Sequence, residues 1–126
     1  TERQALLKES YEHSEVCVKM KRIIQSYKKT DKSNERFDEE DWKQLIAETD
    51  IRWNDITIRL AAKYPLSQDE IYLCCLHLTD IPTSHFRYLM ECSRDAIYKK
   101  GKRILEQKMK CTDKSISLRE FLEQFL

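Results

Sequence analysis

The stretch "LSQDEIYLCCLHLTDIPTSHFRYLMECSRDAIYKKGKRILEQKM", residues 66–109, carries two helix-start signals and one helix-end signal at short spacing. Ser67 and Glu70 have the spacing of a capping box, which predicts the start of a first helix. Pro82 follows the end of that helix, and Ser93 is placed to cap a basic one. The predicted helices cover residues 67–79, 83–91 and 94–109. A support helix, a short helix, a tight turn and a longer basic helix together predict a tri-helical helix-turn-helix.

The last of these helices is amphipathic. Advancing 100° per residue from Ile97 places Gly101 and Ile104 on the buried side and most basic side chains on the outward side. We expect a close helix approach at Gly101, while Lys100 lies near the core edge and reaches a phosphate at most. A basic outward face is the form that enters a DNA major groove. The predicted DNA-binding residues are Arg94, Tyr98, Lys99, Lys100, Lys102 and Arg103.

The charge distribution supports the same interpretation. Residues 94–110 carry a net charge of +5, whereas the whole chain carries +1, so the remainder is mildly acidic. Such an asymmetry is typical of nucleic-acid-binding proteins, although a solvated helix face has the same composition.

Helix signals continue on both sides of this stretch. An apolar stripe over 2–29 predicts one long helix, and Asp38 is placed to cap another that runs to Pro65. Ser117 and Glu120 repeat the capping-box spacing before a short amphipathic helix. About six helices are expected in all. The polar linker over 28–37 is the predicted boundary between a connector or dimerisation helix, residues 1–30, and a helical domain, residues 38–126.

Composition agrees with an all-α fold. The chain has one Gly and two Pro, too few for the turns of a sheet protein, and 36% of its residues are charged. We therefore predict a tri-helical core with long supporting N-terminal helices and a short C-terminal helix.

Sequence signatures of enzymes are missing. The chain contains no glycine-rich phosphate loop, no His-Glu-x-x-His motif and no serine nucleophile elbow. We predict no enzymatic activity, no catalytic residue, no cofactor and no small-molecule substrate. The five cysteines include no Cys-x-x-Cys pair, so no disulfide framework or metal site is predicted, although Cys74 and His77 have the spacing of half a zinc site.

No apolar run reaches the roughly 18 residues that a membrane-spanning helix needs, and no signal peptide is evident. We expect a cytoplasmic location, either as a free protein or as the cytoplasmic part of a membrane-anchored one. Because the chain begins at Thr1, we expect a fragment of a longer protein.

Residues 66–109 resemble the helix-turn-helix of LuxR-type regulators and of sigma-factor region four. They resemble still more the helix-turn-helix segments at the C-terminus of bacterial tetratricopeptide-repeat sensor-like proteins, whose preceding segment is similar to residues 38–65. This chain matches the family at five kinds of position: the start of the support helix, the apolar pair of the short helix, the capping serine, the first buried aliphatic residue and the positions that contact DNA. The matching residues are Leu66, Ser67, Glu70, Phe86, Leu89, Ser93, Ile97, Tyr98, Lys99 and Lys102. His85 and Arg87 stand where the family has an acidic and a small residue.

This resemblance implies a DNA-binding output domain in transcriptional control. It implies double-stranded DNA as the partner and an upstream sensor or repeat region in the same protein. The alternative is an interaction module that keeps the helix-turn-helix shape as a scaffold. In that case the helices over 2–29 and 118–126 would bind another protein or form a homodimer.

Overall fold

Helices make up all the regular secondary structure between residues 1 and 125, the part of the chain that the computed structural model describes. Eight α-helices follow one another: α1 (Glu2–Glu12), α2 (Glu15–Thr30), α3 (Glu39–Arg52), α4 (Ile56–Lys63), α5 (Gln68–His77), α6 (Phe86–Met90), α7 (Arg94–Arg103) and α8 (Leu118–Phe125). A 3-10 turn (Thr83–His85) precedes α6, and a π-helical turn (Ile104–Lys108) extends α7. The predicted all-α class is confirmed.

The prediction of one helix over 2–29 is wrong, because the chain breaks between α1 and α2. Ser14 caps α2: its hydroxyl oxygen accepts a hydrogen bond from the Cys17 N–H (3.3 Å) and donates one to the Tyr11 carbonyl (2.6 Å). Serine competes in this way with helix continuation. The two helices differ in burial, since α1 buries a single residue, Tyr11, whereas α2 buries a stripe. That stripe consists of Val16, Cys17, Met20, Ile23 and Ile24.

The single helix expected between Asp38 and Pro65 is likewise two helices, α3 and α4. Asn54 and Asp55 have φ angles of 53° and 57°, a left-handed conformation that Asn and Asp tolerate better than most residues. The Asp50 carboxylate accepts hydrogen bonds from the Thr57 N–H (2.8 Å) and hydroxyl (2.5 Å) across the break. The predicted cap at the start of α3 is confirmed, because the Asp38 side chain accepts from a backbone N–H in the first turn.

Helix α5 lies at the centre of the core. It is in contact with α3, α4, α7 and α8, and Leu73, Cys75 and Leu76 have no exposed surface. The capping boxes predicted at the starts of α5 and α8 are both present, each with two reciprocal hydrogen bonds. Because α5 is buried and contacts α7, it supports the helix that carries the basic residues.

The buried stripe of α2 packs within the chain, against α3 and α6. A dimerisation helix was expected over residues 1–30. The apolar stripe of α2 in this region is covered by other helices of the same chain. The division into a helix over 1–30 and a domain over 38–126 stays a prediction.

Candidate nucleic-acid interface

Three helices occupy the stretch in which a helix-turn-helix was predicted. Helix α6 ends at Met90, and Glu91, with a φ of 53°, turns the chain. The Ser93 hydroxyl accepts a hydrogen bond from the Ala96 N–H (3.0 Å) and caps α7. The predicted helix starts and the Ser93 cap are confirmed. The assignment of the trio as a helix-turn-helix stays a prediction.

The inner face of α7 packs on α5, as the helical wheel predicted. Ile97 and Ile104 are buried. Gly101 faces α5 as well, but a methyl group at its Cα would lie 4.0 Å from both His77 Nε2 and Leu73 Cδ2. That is an ordinary van der Waals distance, so α7 and α5 leave room for a side chain here. The prediction of a close helix approach at Gly101 is therefore wrong.

The outer face of α7 is open to solvent. Tyr98 is 67% exposed, and Arg94, Lys99, Lys102 and Arg103 are exposed with it. The structure therefore brings five of the six predicted contact residues onto the accessible surface of one helix.

Lys100, the sixth predicted residue, is tied to the support helix. Its ammonium group lies 3.4 Å from a carboxylate oxygen of the exposed Asp69, and the lysine side chain is partly buried. Lys108 is anchored more firmly, because its Nζ donates to the Pro65 carbonyl (2.9 Å) and lies 3.4 Å from Glu70 Oε1. Lys108 therefore contributes more than Lys100 to holding α7 on α5, because an ion pair with an exposed partner adds little stability.

The remaining cations of α7 differ in their pairing. Lys99 lies 3.0 Å from Asp95 one turn earlier, an exposed pair that contributes little stability. Arg94, Lys102 and Arg103 have no ion-pair partner among residues 1–125. These three charges are available to an anionic ligand.

A groove of about 1130 Å³ separates α7 from the segment 111–118. Lys110 has a φ of 56° and turns the chain back along α7, where the Cys111 N–H donates to the Leu105 carbonyl (2.9 Å). The sequence carries no glycine signal for this return, since the left-handed position that usually holds glycine is occupied here by lysine. Tyr98 and Lys102 line one side of the groove.

His77 lies at the floor of this groove, edge-on to Phe86. Burial, followed by the nearby Arg119, lowers the pKa of His77 to about 4. The imidazole is neutral at physiological pH and adds no charge to the groove, so the groove's charge comes from the side chains around its rim.

Within residues 1–125, the Cys74 and His77 pair has no further ligands to complete a metal site. No group of three or more His, Cys, Asp or Glu side chains with suitable placement occurs within residues 1–125. Burial raises the pKa of the Cys74 thiol well above its usual range, which disfavours the thiolate that metal ions bind.

None of the helices described here is both long and apolar enough to cross a lipid bilayer. Comparisons of the chain with protein-family models, curated proteins and solved structures found no match.

Proposed function

We propose that this chain binds double-stranded DNA through the outer face of α7, as the DNA-binding part of a larger transcriptional regulator. One observation carries the proposal: Arg94, Lys102 and Arg103 are exposed on a helix whose opposite face is fixed to α5, and they lack ion-pair partners among residues 1–125. DNA is the polyanion whose binding such unpaired cations favour through counterion release.

The dimensions of α7 suit a major groove. With its π-helical extension it runs from Arg94 to Lys108, which corresponds to a length of about 22 Å at 1.5 Å per residue. The major groove of B-DNA, about 12 Å wide, admits a helix of this kind. Tyr98 and Lys102 lie one turn apart and point to the same side, so both reach the same part of a bound duplex.

The individual side chains take different roles in the proposed complex. Lys102 and Arg103 supply donors for guanine O6 and N7 or for phosphates. On binding, Lys99 leaves Asp95 and contacts a phosphate oxygen. The negative charge of Asp95 then restricts which anionic surfaces can approach this end of α7. Lys100 remains paired with Asp69 at the edge of α7, so this pair adds little net charge to the proposed interface.

The test is a Lys102→Gln/Arg103→Gln variant, titrated with duplex DNA at several salt concentrations by fluorescence anisotropy. We expect a loss of about 1 to 3 kcal/mol of binding free energy for each base contact removed. If both residues contact phosphates, the slope of log affinity against log salt should become shallower by about 1.8. Circular dichroism should be unchanged, because neither side chain packs in the core.

The matched control is Arg3→Gln/Lys43→Gln, which removes one arginine and one lysine from exposed positions on α1 and α3. It loses the same net charge, but both positions lie outside α7, so we expect an unchanged slope. If both double variants bind duplex DNA as the original chain does, α7 is not the DNA-binding surface.

A protein-interaction module is the second candidate function. Leu6, Ile51 and Ile58 are each more than 60% exposed and lie on α1, α3 and α4, with α3 in contact with both other helices. Exposed aliphatic side chains on neighbouring helices favour a protein partner. Absence of duplex binding at low salt, together with an oligomeric state that Leu6→Glu changes in gel filtration, would favour this function over DNA binding.

A further inference from the structure

The C-terminal end of α2 is fixed to α6 by stacked aromatic rings. The Tyr27 and Tyr88 ring centroids are 4.7 Å apart with an angle of 12° between the planes. Stacked pairs of this kind contribute about 0.5 to 1.5 kcal/mol beyond area burial. The last turn of α2 is therefore held next to the short helix that leads into α7.

This junction brings together cations from distant parts of the sequence. The Arg87 Nη2 donates to the Tyr88 hydroxyl (2.8 Å), and its guanidinium lies 4.8 Å from the Tyr88 ring centre. The His85 ring lies 6.1 Å from the Tyr88 ring, and Lys28 follows Tyr27, which stacks on Tyr88. Burial, followed by the charges of Lys28 and Arg87, lowers the pKa of His85. Lys28 and Arg87 are exposed, and the structure gives neither of them an ion pair within residues 1–125.

Nearby acidic groups cancel only part of this charge. Glu91 accepts two hydrogen bonds from Arg36, at 2.9 and 2.7 Å, so its charge is already paired. Asp31 ends α2 in the left-handed conformation and is the other acid lining the small cavity beside Arg87. Lys29, in the last turn of α2, adds a further positive charge at this end.

The junction adjoins the proposed DNA-binding helix. Helix α6 contacts α7 and is separated from it by residues 91–93. Phosphates flank both sides of a major groove about 12 Å wide, so an element beside an inserted helix meets the sugar-phosphate backbone.

We propose that Lys28 at the end of α2 and Arg87 on α6 form a second basic patch, which contacts backbone phosphates of the duplex that α7 binds. This inference rests on the proposed function, and it makes α2 part of the DNA-binding surface. Contacts from this patch position the chain on the duplex and carry no sequence information.

The experiment is a salt titration of the full chain with a random-sequence duplex, comparing Lys28→Gln/Arg87→Gln with the Arg3→Gln/Lys43→Gln control. We expect the slope of log affinity against log salt to become shallower by about 1.8 in the first variant and to stay unchanged in the second. Lys28→Gln alone, which removes no hydrogen bond given above, should change the slope by about 0.9.

The outcomes separate this inference from the proposed function. A slope that changes with Lys102→Gln/Arg103→Gln but not with Lys28→Gln/Arg87→Gln would overturn the second patch and leave α7 as the DNA-binding surface. Equal changes in the Lys28/Arg87 variant and the control would show an effect of net charge alone and would also overturn it. If Lys28 only offsets the α2 helix dipole, Lys28→Gln lowers the melting temperature and leaves the slope unchanged.

Discussion

The two sides of α7 use similar residues for different purposes. On the side facing α5, Ile104 is buried and Lys108 is held by Glu70 and the Pro65 carbonyl. On the outer side, Lys102 and Arg103 are exposed without ion pairs in the described chain. A basic run therefore divides into lysines that stabilise the fold and cations that are free to bind a ligand. The direction of each side chain decides the division.

The largest expected effect is on the pH dependence of stability, and it comes from His77, beneath the inner face of α7. Its folded-state pKa of about 4 lies below the ordinary value of 6.5, so the unfolded chain takes up the proton first. Its ionisation therefore leaves the free energy of unfolding unaffected above pH 6.5. As the pH falls from 6.5 towards 4, it lowers the free energy of unfolding by about 1.4 kcal/mol per pH unit. Urea denaturation across this range should show a weaker pH dependence for His77→Leu than for the original chain.

His13→Gln is the control for that measurement, because His13 is exposed on the α1–α2 connection. Its pH profile should match that of the original chain. Carboxylates also titrate in the acidic part of the range, so the difference between the two histidine variants is the quantity to compare. If that difference is zero, the side of α7 that faces α5 does not hold a neutral imidazole.

Exchanging a lysine on either side of α7 separates the two roles directly. Lys108→Met leaves the largely buried Glu70 without its cation and should cost about 1 to 2 kcal/mol of unfolding free energy, with little effect on DNA affinity. Lys102→Met should do the reverse, since an exposed position contributes little to stability. Chemical denaturation and anisotropy titration of both variants give the four values needed. Loss of DNA binding in both variants would remove the distinction between the sides.

The smallest expected effect is at Gly101. Because a methyl group meets its neighbours at 4.0 Å, Gly101→Ala should stabilise the chain by up to about 1 kcal/mol through helix propensity. Gly101→Leu, by contrast, should destabilise it by forcing a larger side chain against His77 and Leu73. Thermal denaturation distinguishes the two. Destabilisation by alanine would show that α7 lies closer to α5 than the structure indicates.

Local signals predicted a large part of the fold. The caps at Ser67, Ser93 and Ser117 involve groups within a few positions of each other, so residue type and spacing were sufficient to find them. The break at Ser14 was missed because the weaker stripe over residues 8–14 is still compatible with one long helix. The break at Asn54–Asp55 was missed because the apolar stripe continues on both sides of it. The Asn-Asp pair was a usable signal for the second break, since both residues favour turns.

The candidate site was predicted in part. Helical periodicity identified the outward residues of α7 correctly, since the direction of a side chain on a helix follows from its position alone. It gave no information about which acidic residues of α5 would pair with Lys100 and Lys108. Neither did it predict that the segment after Lys110 returns along α7, because a lysine in the left-handed conformation gives no glycine signal.

The sequence by itself determined the helical class, the capped helix starts and the two faces of α7, because these depend on interactions between residues at most a few positions apart. The tertiary structure alone decided which cations are paired and which are free. Lys108 reaches a carbonyl 43 positions away, and Tyr27 stacks on Tyr88 of a distant helix. Contacts of this kind depend on how the helices pack together, and neither propensity nor periodicity along the chain specifies that packing.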